Sequence, residues 1–148
     1  VNEYIAKEHG EEGMFVTLFF AIIDPMSGKV YYINGGHEPA LVVGKNGIKK
    51  YLTATGPALG PIDEATYNIK SFQLEKGDLL FSYTDGVTEA LSETKGFYKR
   101  YRLENIINNG VDGSAKMFLE SIKTDLFNFI GDASQSDDIT MLAVKWNS

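Results

Sequence analysis

The sequence predicts an α+β fold, an antiparallel β-sandwich flanked by helices in α-β-β-α layers. Two observations predict it. Short apolar runs bounded by Gly, Pro and Asn clusters fill the chain as far as Tyr83, and helical spacing begins only after them. A last apolar run then closes the chain, and strands followed by helices and a final strand are the order of a layered α+β sandwich.

Val1 to His9 reads as the last turns of a helix, with Gly10 as its stop. Met14 to Ile23 is nearly all Phe, Val, Ile and Leu, the pattern of a strand covered on both faces. Asp24-Pro25-Met26-Ser27-Gly28 is turn chemistry, and Lys29 to Ile33 returns as the next strand. Asn34-Gly35-Gly36 turns the chain into a strand at Ala40 to Val43, and Asn46-Gly47 closes a hairpin with Ile48 to Leu52. Together these read as an antiparallel meander. Thr53 to Ala65 is a Gly/Pro-rich loop, Tyr67 to Leu74 alternates as a strand, and Leu79 to Tyr83 is a further apolar strand. Leu103, Ile106 and Ile107 mark a short helix stopped by Gly110. Ser114 is placed to cap a longer helix whose Phe118, Ile122, Leu126, Phe129 and Ile130 keep helical spacing. Ile139 to Trp146, apolar on both faces, reads as a central strand. No repeat, low-complexity tract or second domain is visible, so residues 1–148 read as a single domain.

Composition narrows the chemistry. Hydrophobic residues make up 43% and charged residues 23% of the chain, the balance of an ordinary globular protein. The absence of cysteine excludes disulfides and thiolate metal sites and fits a reducing, cytoplasmic compartment. With two histidines there is no imidazole-rich site, so any metal must sit on carboxylates, which favours Mg²⁺ or Mn²⁺. A net charge of −6 argues against nucleic acid as a partner. The longest apolar run, Phe15 to Ile23, is too short to cross a bilayer, and no signal peptide opens the chain. Val1 is not an initiator Met, which fits a piece of something longer.

Two carboxylate clusters stand at the ends of predicted core strands. The first is Tyr83-Thr84-Asp85-Gly86-Val87-Thr88-Glu89-Ala90, where the strand holds Asp85 and Gly86 lets the backbone turn beside a ligand. The second is Ser136-Asp137-Asp138-Ile139-Thr140, whose adjacent like charges repel unless a cation or basic group compensates them. Each alone is ordinary loop chemistry. Together, two strand-end carboxylates converging on one hard cation account for the pattern.

An ordered set of segments carries a resemblance. Met14-Phe15-Val16-Thr17-Leu18-Phe19, Tyr32-Ile33-Asn34-Gly35-Gly36-His37-Glu38-Pro39-Ala40-Leu41, Gly77-Asp78-Leu79-Leu80-Phe81-Ser82-Tyr83-Thr84-Asp85-Gly86-Val87-Thr88-Glu89-Ala90 and Asp137-Asp138-Ile139-Thr140 follow one another in the chain. The series resembles the PPM family of metal-dependent serine/threonine protein phosphatases, in the branch of stage II sporulation protein E and the sigma-B regulators. The resemblance implies a two-metal site, Mn²⁺ or Mg²⁺, that activates a water for attack on phosphoserine or phosphothreonine. No side chain is assigned as catalytic. Asp85 and Asp137 match the family's metal aspartates, while Gly86 and Asp138 match supporting loop positions. Asn34 to His37 match a signature that shapes a loop, with His37 read as structural. The basic stretch Lys95 to Arg102 reads as a solvated helix flank.

The resemblance also implies a first motif, Asp-Val-x-Gly-His-Gly, whose aspartate bridges both metals. No Asp here is followed by Gly-His-Gly. The sequence is therefore read as a partial phosphatase domain, its N-terminal portion and first metal-motif segment absent, and weakly active or inactive alone. The implied substrate is a phosphorylated regulatory protein of the anti-sigma-factor antagonist type, in a bacterial signalling protein with an upstream sensor domain. Exposed sheet edges predict self-association. The alternative is a non-catalytic interaction module on the same fold; a β-sandwich ligand-binding domain unrelated to phosphatases fits the ordered motifs poorly.

Overall fold

The computed structural model describes residues 1–9, 12–110 and 113–147. In chain order the elements begin with α1 (Asn2–His9), β1 (Leu18–Ile23), β2 (Lys29–Gly35), β3 (Ala40–Gly44) and β4 (Gly47–Leu52). Then come β5 (Lys70–Gln73), β6 (Leu79–Tyr83), α2 (Asp85–Thr88), β7 (Leu91–Ser92) and β8 (Gly96–Phe97). The chain ends with α3 (Arg100–Asn108), α4 (Ala115–Ile130) and β9 (Met141–Lys145). The class is α+β with antiparallel sheets, as the sequence predicts. Gly10, the expected stop of the first helix, lies outside the described residues.

The chain divides into two compact units, one of Val1–Pro39 with Leu52–Leu74 and one of Ala40–Tyr51 with Glu75–Asn147. The first unit holds the sheet β1-β2-β5. Its β1 is an edge strand paired only with β2, and Phe20 and Ile22 are 53% and 60% exposed. The expectation of a strand covered on both faces is therefore corrected. Apolar composition states what a strand is suited to bury, whereas coverage depends on a partner that no local pattern names.

Asn34 organises the same unit. Its side chain is fully buried, and its Oδ1 accepts the His37 N–H at 2.8 Å while its Nδ2 donates to the Leu52 carbonyl at 3.1 Å. Its backbone N–H donates to Thr55 Oγ1 at 3.0 Å. A buried amide with its partners made is a strong local constraint. His37 Nδ1 lies 3.0 Å from Thr17 Oγ1, within hydrogen-bond reach. The Asn-Gly-Gly-His segment thus ties a loop together.

The second unit holds the sheet β4-β3-β6-β9 and the small β7-β8 pair. The expected continuous meander is corrected: β1-β2 and β3-β4 belong to different sheets, because turn residues mark where strands end and not which sheet each joins. β9 pairs with β6 alone, in the register Tyr83↔Met141 to Leu79↔Lys145, and so ends the sheet as an edge strand. Leu142, on the face away from the packed Met141 and Ala143, is 62% exposed. The reading of Ile139 to Trp146 as a central strand is corrected on the same ground as β1.

Helix α4 forms as its sequence dictates. Ser114 Oγ accepts the Met117 N–H at 3.2 Å, satisfying one otherwise orphaned donor, and Gly131 ends the helix at φ 62°. Its buried face is Phe118, Ile122, Leu126, Phe129 and Ile130, packed in one cluster with Leu41, Val43, Leu79, Phe81 and Tyr83. Phe81 stacks on Tyr83 and meets Phe118 edge-on. Arg102 on α3 donates twice to Asp125 on α4, at 2.7 and 2.8 Å, which holds that carboxyl below the usual carboxylate range. Tyr98 donates to the same carboxylate at 2.9 Å, and burial pushes its phenol well up. Arg102 and Lys95 both lie over the Phe129 ring. The stretch from Lys95 to Arg102 is thus anchored at both ends rather than a wholly solvated flank. No helix among the described residues is long and apolar enough to cross a membrane.

Candidate metal centre

Antiparallel pairing of β6 with β9 brings the end of one strand to the start of the other. Past Tyr83↔Met141 the ladder continues through Thr84, whose N–H donates to the Thr140 carbonyl at 3.1 Å. Thr84 Oγ1 donates to the Asp138 carbonyl and accepts the Thr140 N–H, both at 3.0 Å. One hydroxyl therefore stitches the Asp85 segment to the Asp137-Asp138 segment. The sequence motif contains Thr84, but its bridging role was missed; a hydroxyl residue at a strand end next to a candidate ligand is the signal that finds it.

The chain turns into α2 immediately after Thr84. The Val87 N–H donates to the Thr84 carbonyl at 3.0 Å and the Glu89 N–H to the Asp85 carbonyl at 2.8 Å. Gly86 is buried against the other segment: a Cβ there would stand 2.4 Å from the Asp138 carbonyl oxygen. Only glycine lets the two strand ends come this close. Gly86 and Asp138, read from the sequence as supporting loop positions, are in backbone contact here, and no ligand role for either follows from it.

Asp85 and Asp137 are both solvent-exposed, on neighbouring strand ends. Asp85 Oδ1 accepts the Gly86 N–H at 3.1 Å, and Asp137 Oδ1 accepts the Asp138 N–H at 2.7 Å. Each carboxylate is thereby oriented by its own backbone. Gln135 Nε2 donates to the Asp137 carbonyl at 2.7 Å and steadies the approach to the strand. Among the described residues neither aspartate forms an ion pair with a basic side chain.

This donor set is hard oxygen and fits Mg²⁺ or Mn²⁺ by type. By number it fits in part, since no group of three or more His, Asp or Glu gathers among the described residues. Two oriented aspartates can hold one side of a cation whose remaining positions go to water or to other groups.

Comparison with known proteins bears on what such a site belongs to. The model of the family "Stage II sporulation protein E (SpoIIE)" matches residues 1–147. Protein IcfG of Synechocystis sp. is 44% identical over 146 residues, 99% of this chain and 23% of that protein. The phosphoserine phosphatase RsbU of Bacillus subtilis is 29% identical over 142 residues, 95% of this chain and 42% of that protein. The chain thus spans under half the length of either relative. In fold, the SiaA-PP2C domain of Pseudomonas aeruginosa matches 99% of this chain and 58% of that one, with a TM-score of 0.83 at 16% identity. The phosphatase domain of the cell-fate determinant SpoIIE from Bacillus subtilis, presoaked with Mn, matches 88% of this chain and 56% of that one, with a TM-score of 0.67 at 18% identity. With the match running over nearly every residue, the chain belongs to the Stage II sporulation protein E (SpoIIE) family.

Proposed function

We propose that this chain serves the metal-dependent hydrolysis of phosphoserine or phosphothreonine on a regulatory protein, of the anti-sigma-factor antagonist type, with Asp85 and Asp137 as metal-holding carboxylates. The observation that supports this most is that the Asp85 segment and the Asp137-Asp138 segment meet at one end of β6 and β9, in a chain that the SpoIIE family model matches. A bound Mn²⁺ or Mg²⁺ would supply an activated water and neutralise phosphoryl oxygens. The chain's own part is to orient two carboxylates through the Gly86 and Asp138 amides, with the Thr84 hydroxyl fixing the distance between their segments. In the reaction, water adds to phosphorus, the bond to the seryl or threonyl oxygen breaks, and that oxygen takes up a proton.

Residues 1–148 are proposed as one partial phosphatase domain of a longer cytoplasmic sensor protein, self-associating through sheet edges such as β9. A single sedimenting monomer at high concentration overturns the self-association. A second reading, a non-catalytic interaction module, is favoured by one observation: no three or more His, Asp or Glu are placed to hold a metal ion among the described residues.

The test is a Mn²⁺ titration of p-nitrophenyl phosphate hydrolysis. The 148-residue chain is expected to show little or no turnover, because paired-metal hydrolysis needs a shared ligand holding ions ~3.5–4 Å apart. A version extended to include an Asp-Val-x-Gly-His-Gly motif is expected to be active, and Asp85→Asn or Asp137→Asn in it to lose several orders of magnitude. An active Asp137→Asn variant overturns the assignment, and an inactive extended protein supports the interaction module.

A further inference from the structure

At the opposite end of the same sheet lies a pocket of about 250 Å³ whose lining includes Gly44, Lys45, Lys76, Gly77, Asp78 and Lys145. Three of its charged residues are lysines, in a chain where acids outnumber bases 20 to 14. Among the described residues the nearby carboxylates do not answer them. Glu75 and Asp78 are both committed to a fourth lysine, Lys49, at 2.6 and 2.9 Å. Asp78 is further engaged by the Glu75 N–H at 3.0 Å, and its side chain is 5% exposed. Gly44 makes this pairing possible, since a Cβ there would collide with the Lys49 side chain and approach Asp78 Oδ1. Lys45 and Lys76 form no ion pair with any described residue, and Lys145 Nζ donates to the Gly113 carbonyl at the pocket wall.

We propose that this pocket is a binding site for a small phosphate-type anion, separate from the aspartate end. Gathering like charges around a concave surface costs free energy that a counter-ion recovers, and concavity focuses their field on it. The size is informative. Pockets for drug-sized ligands run from roughly 300 to 1,000 Å³, so this one suits a small anion such as a phosphoryl group better than a whole nucleotide. The shared chemistry is the phosphoryl anion, whether free or as the tail of a nucleotide. The site is also remote from the aspartates: Leu79, beside Lys145, and Tyr83 are four positions apart on β6, about 13 Å at ~3.3 Å per residue.

The chain carries its own reporter. Trp146, the one tryptophan, follows Lys145, and its carbonyl accepts the N–H of the pocket residue Gly77 at 2.8 Å. Titrating the 148-residue chain with pyrophosphate and with ADP, against NaCl of equal ionic strength, is expected to change Trp146 fluorescence saturably with both phosphates at similar affinity. Amide shifts are expected at Gly44 and Gly77 and not at Gly86. Lys45→Gln and Lys76→Gln should each weaken pyrophosphate about two- to fivefold, the range for one charge-assisted contact made by an exposed side chain. Both residues are exposed, so unchanged circular dichroism is expected to accompany the loss. An NaCl response equal to that of pyrophosphate, shifts centred on Gly86, ADP binding far more tightly, or unaltered affinity in both lysine variants each overturns the proposal.

Discussion

At one end of the sheet β4-β3-β6-β9, two exposed aspartates are oriented by backbone amides with no basic side chain paired to them among the described residues; at the other, lysines surround a pocket whose one carboxylate is already paired. The two ends share β6 and are separated by the core of Phe81, Tyr83 and Phe118. Each end therefore carries charge that no described side chain pairs, of opposite sign. A folded chain retains such an arrangement at a cost in self-repulsion, and a ligand that neutralises it stabilises the fold by mass action. The difference lies in construction. The aspartate end is built by close backbone approach, the lysine end by turns and a half-buried ion pair.

The sharpest way to break the first end is Gly86→Ala. The new Cβ would meet the Asp138 carbonyl oxygen at 2.4 Å and its carbon at 3.0 Å, both backbone atoms that cannot swing aside. Overpacking of this kind costs about 1–3 kcal/mol, and here the upper part of that range is expected. At the lysine end, Gly77→Ala meets no atom within 4 Å and is strained only by its φ of 89°, a cost of about 1 kcal/mol. Urea unfolding of the two variants side by side measures the contrast. Equal losses would show that the aspartate end is no more tightly built than an open turn.

How far these ends are legible in the sequence differs in the same way. Helix α4 can be read in full, cap and face, because Ser114 and the spacing of Phe118, Ile122, Leu126, Phe129 and Ile130 are local signals that the packing then obeys. The strand ends bearing Asp85 and Asp137 are legible as strand ends, and their pairing follows once both apolar runs enter one sheet. The metal role proposed for them rests on family resemblance, since spacing alone leaves Asp-Gly as turn punctuation. The lysine pocket is illegible beforehand. Its Lys45, Lys76, Gly113 and Lys145 come from four separated segments, each an ordinary turn or strand end until folding gathers them. Edge status fails for a related reason: β1 and β9 have core-like composition, yet which neighbour covers Phe20 or Leu142 is not a property of either strand.

A middle-sized effect is expected from Lys49→Met. The substitution keeps much of the apolar stem but leaves Asp78, nearly buried, with only the Glu75 amide for a partner. Losing one charged partner of this kind costs about 1–3 kcal/mol, toward the lower value here because Lys49 itself is partly exposed. The pH dependence has a definite sign. Hydrogen bonds to Glu75 and then Asp78 raise the Lys49 pKa above that of a free lysine. The protonated form is thus favoured by folding, so its contribution is present in full below the ordinary lysine value of ~10.4 and is lost as pH rises through the raised folded value. Unfolding midpoints from pH 7 to 11 should fall less steeply at the alkaline end for Lys49→Met than for the parent. Identical alkaline slopes would mean that the pair does not bind a proton more tightly in the folded chain.

The smallest expected effect discriminates most finely between the two ends. Lys76 is exposed, lies in the turn before β6 and has no ion-pair partner among the described residues, so Lys76→Gln removes no stabilising contact. It does remove one of the like charges around the pocket. In dilute buffer the change in stability should fall within about 0.5 kcal/mol of zero, on the stabilising side, because relief of repulsion is the one contribution left. Added NaCl should erase that small gain, since screening at ~0.15 M shortens the reach of exposed charges to about 8 Å. Added pyrophosphate should reverse the order, stabilising the parent more than the variant, as an anion that binds only the folded pocket must. Thermal melts of parent and Lys76→Gln in dilute buffer, NaCl and pyrophosphate therefore give three signs to compare. A variant destabilised in dilute buffer would mean that Lys76 already has an internal partner, and the lysine end would then be balanced by its own side chains.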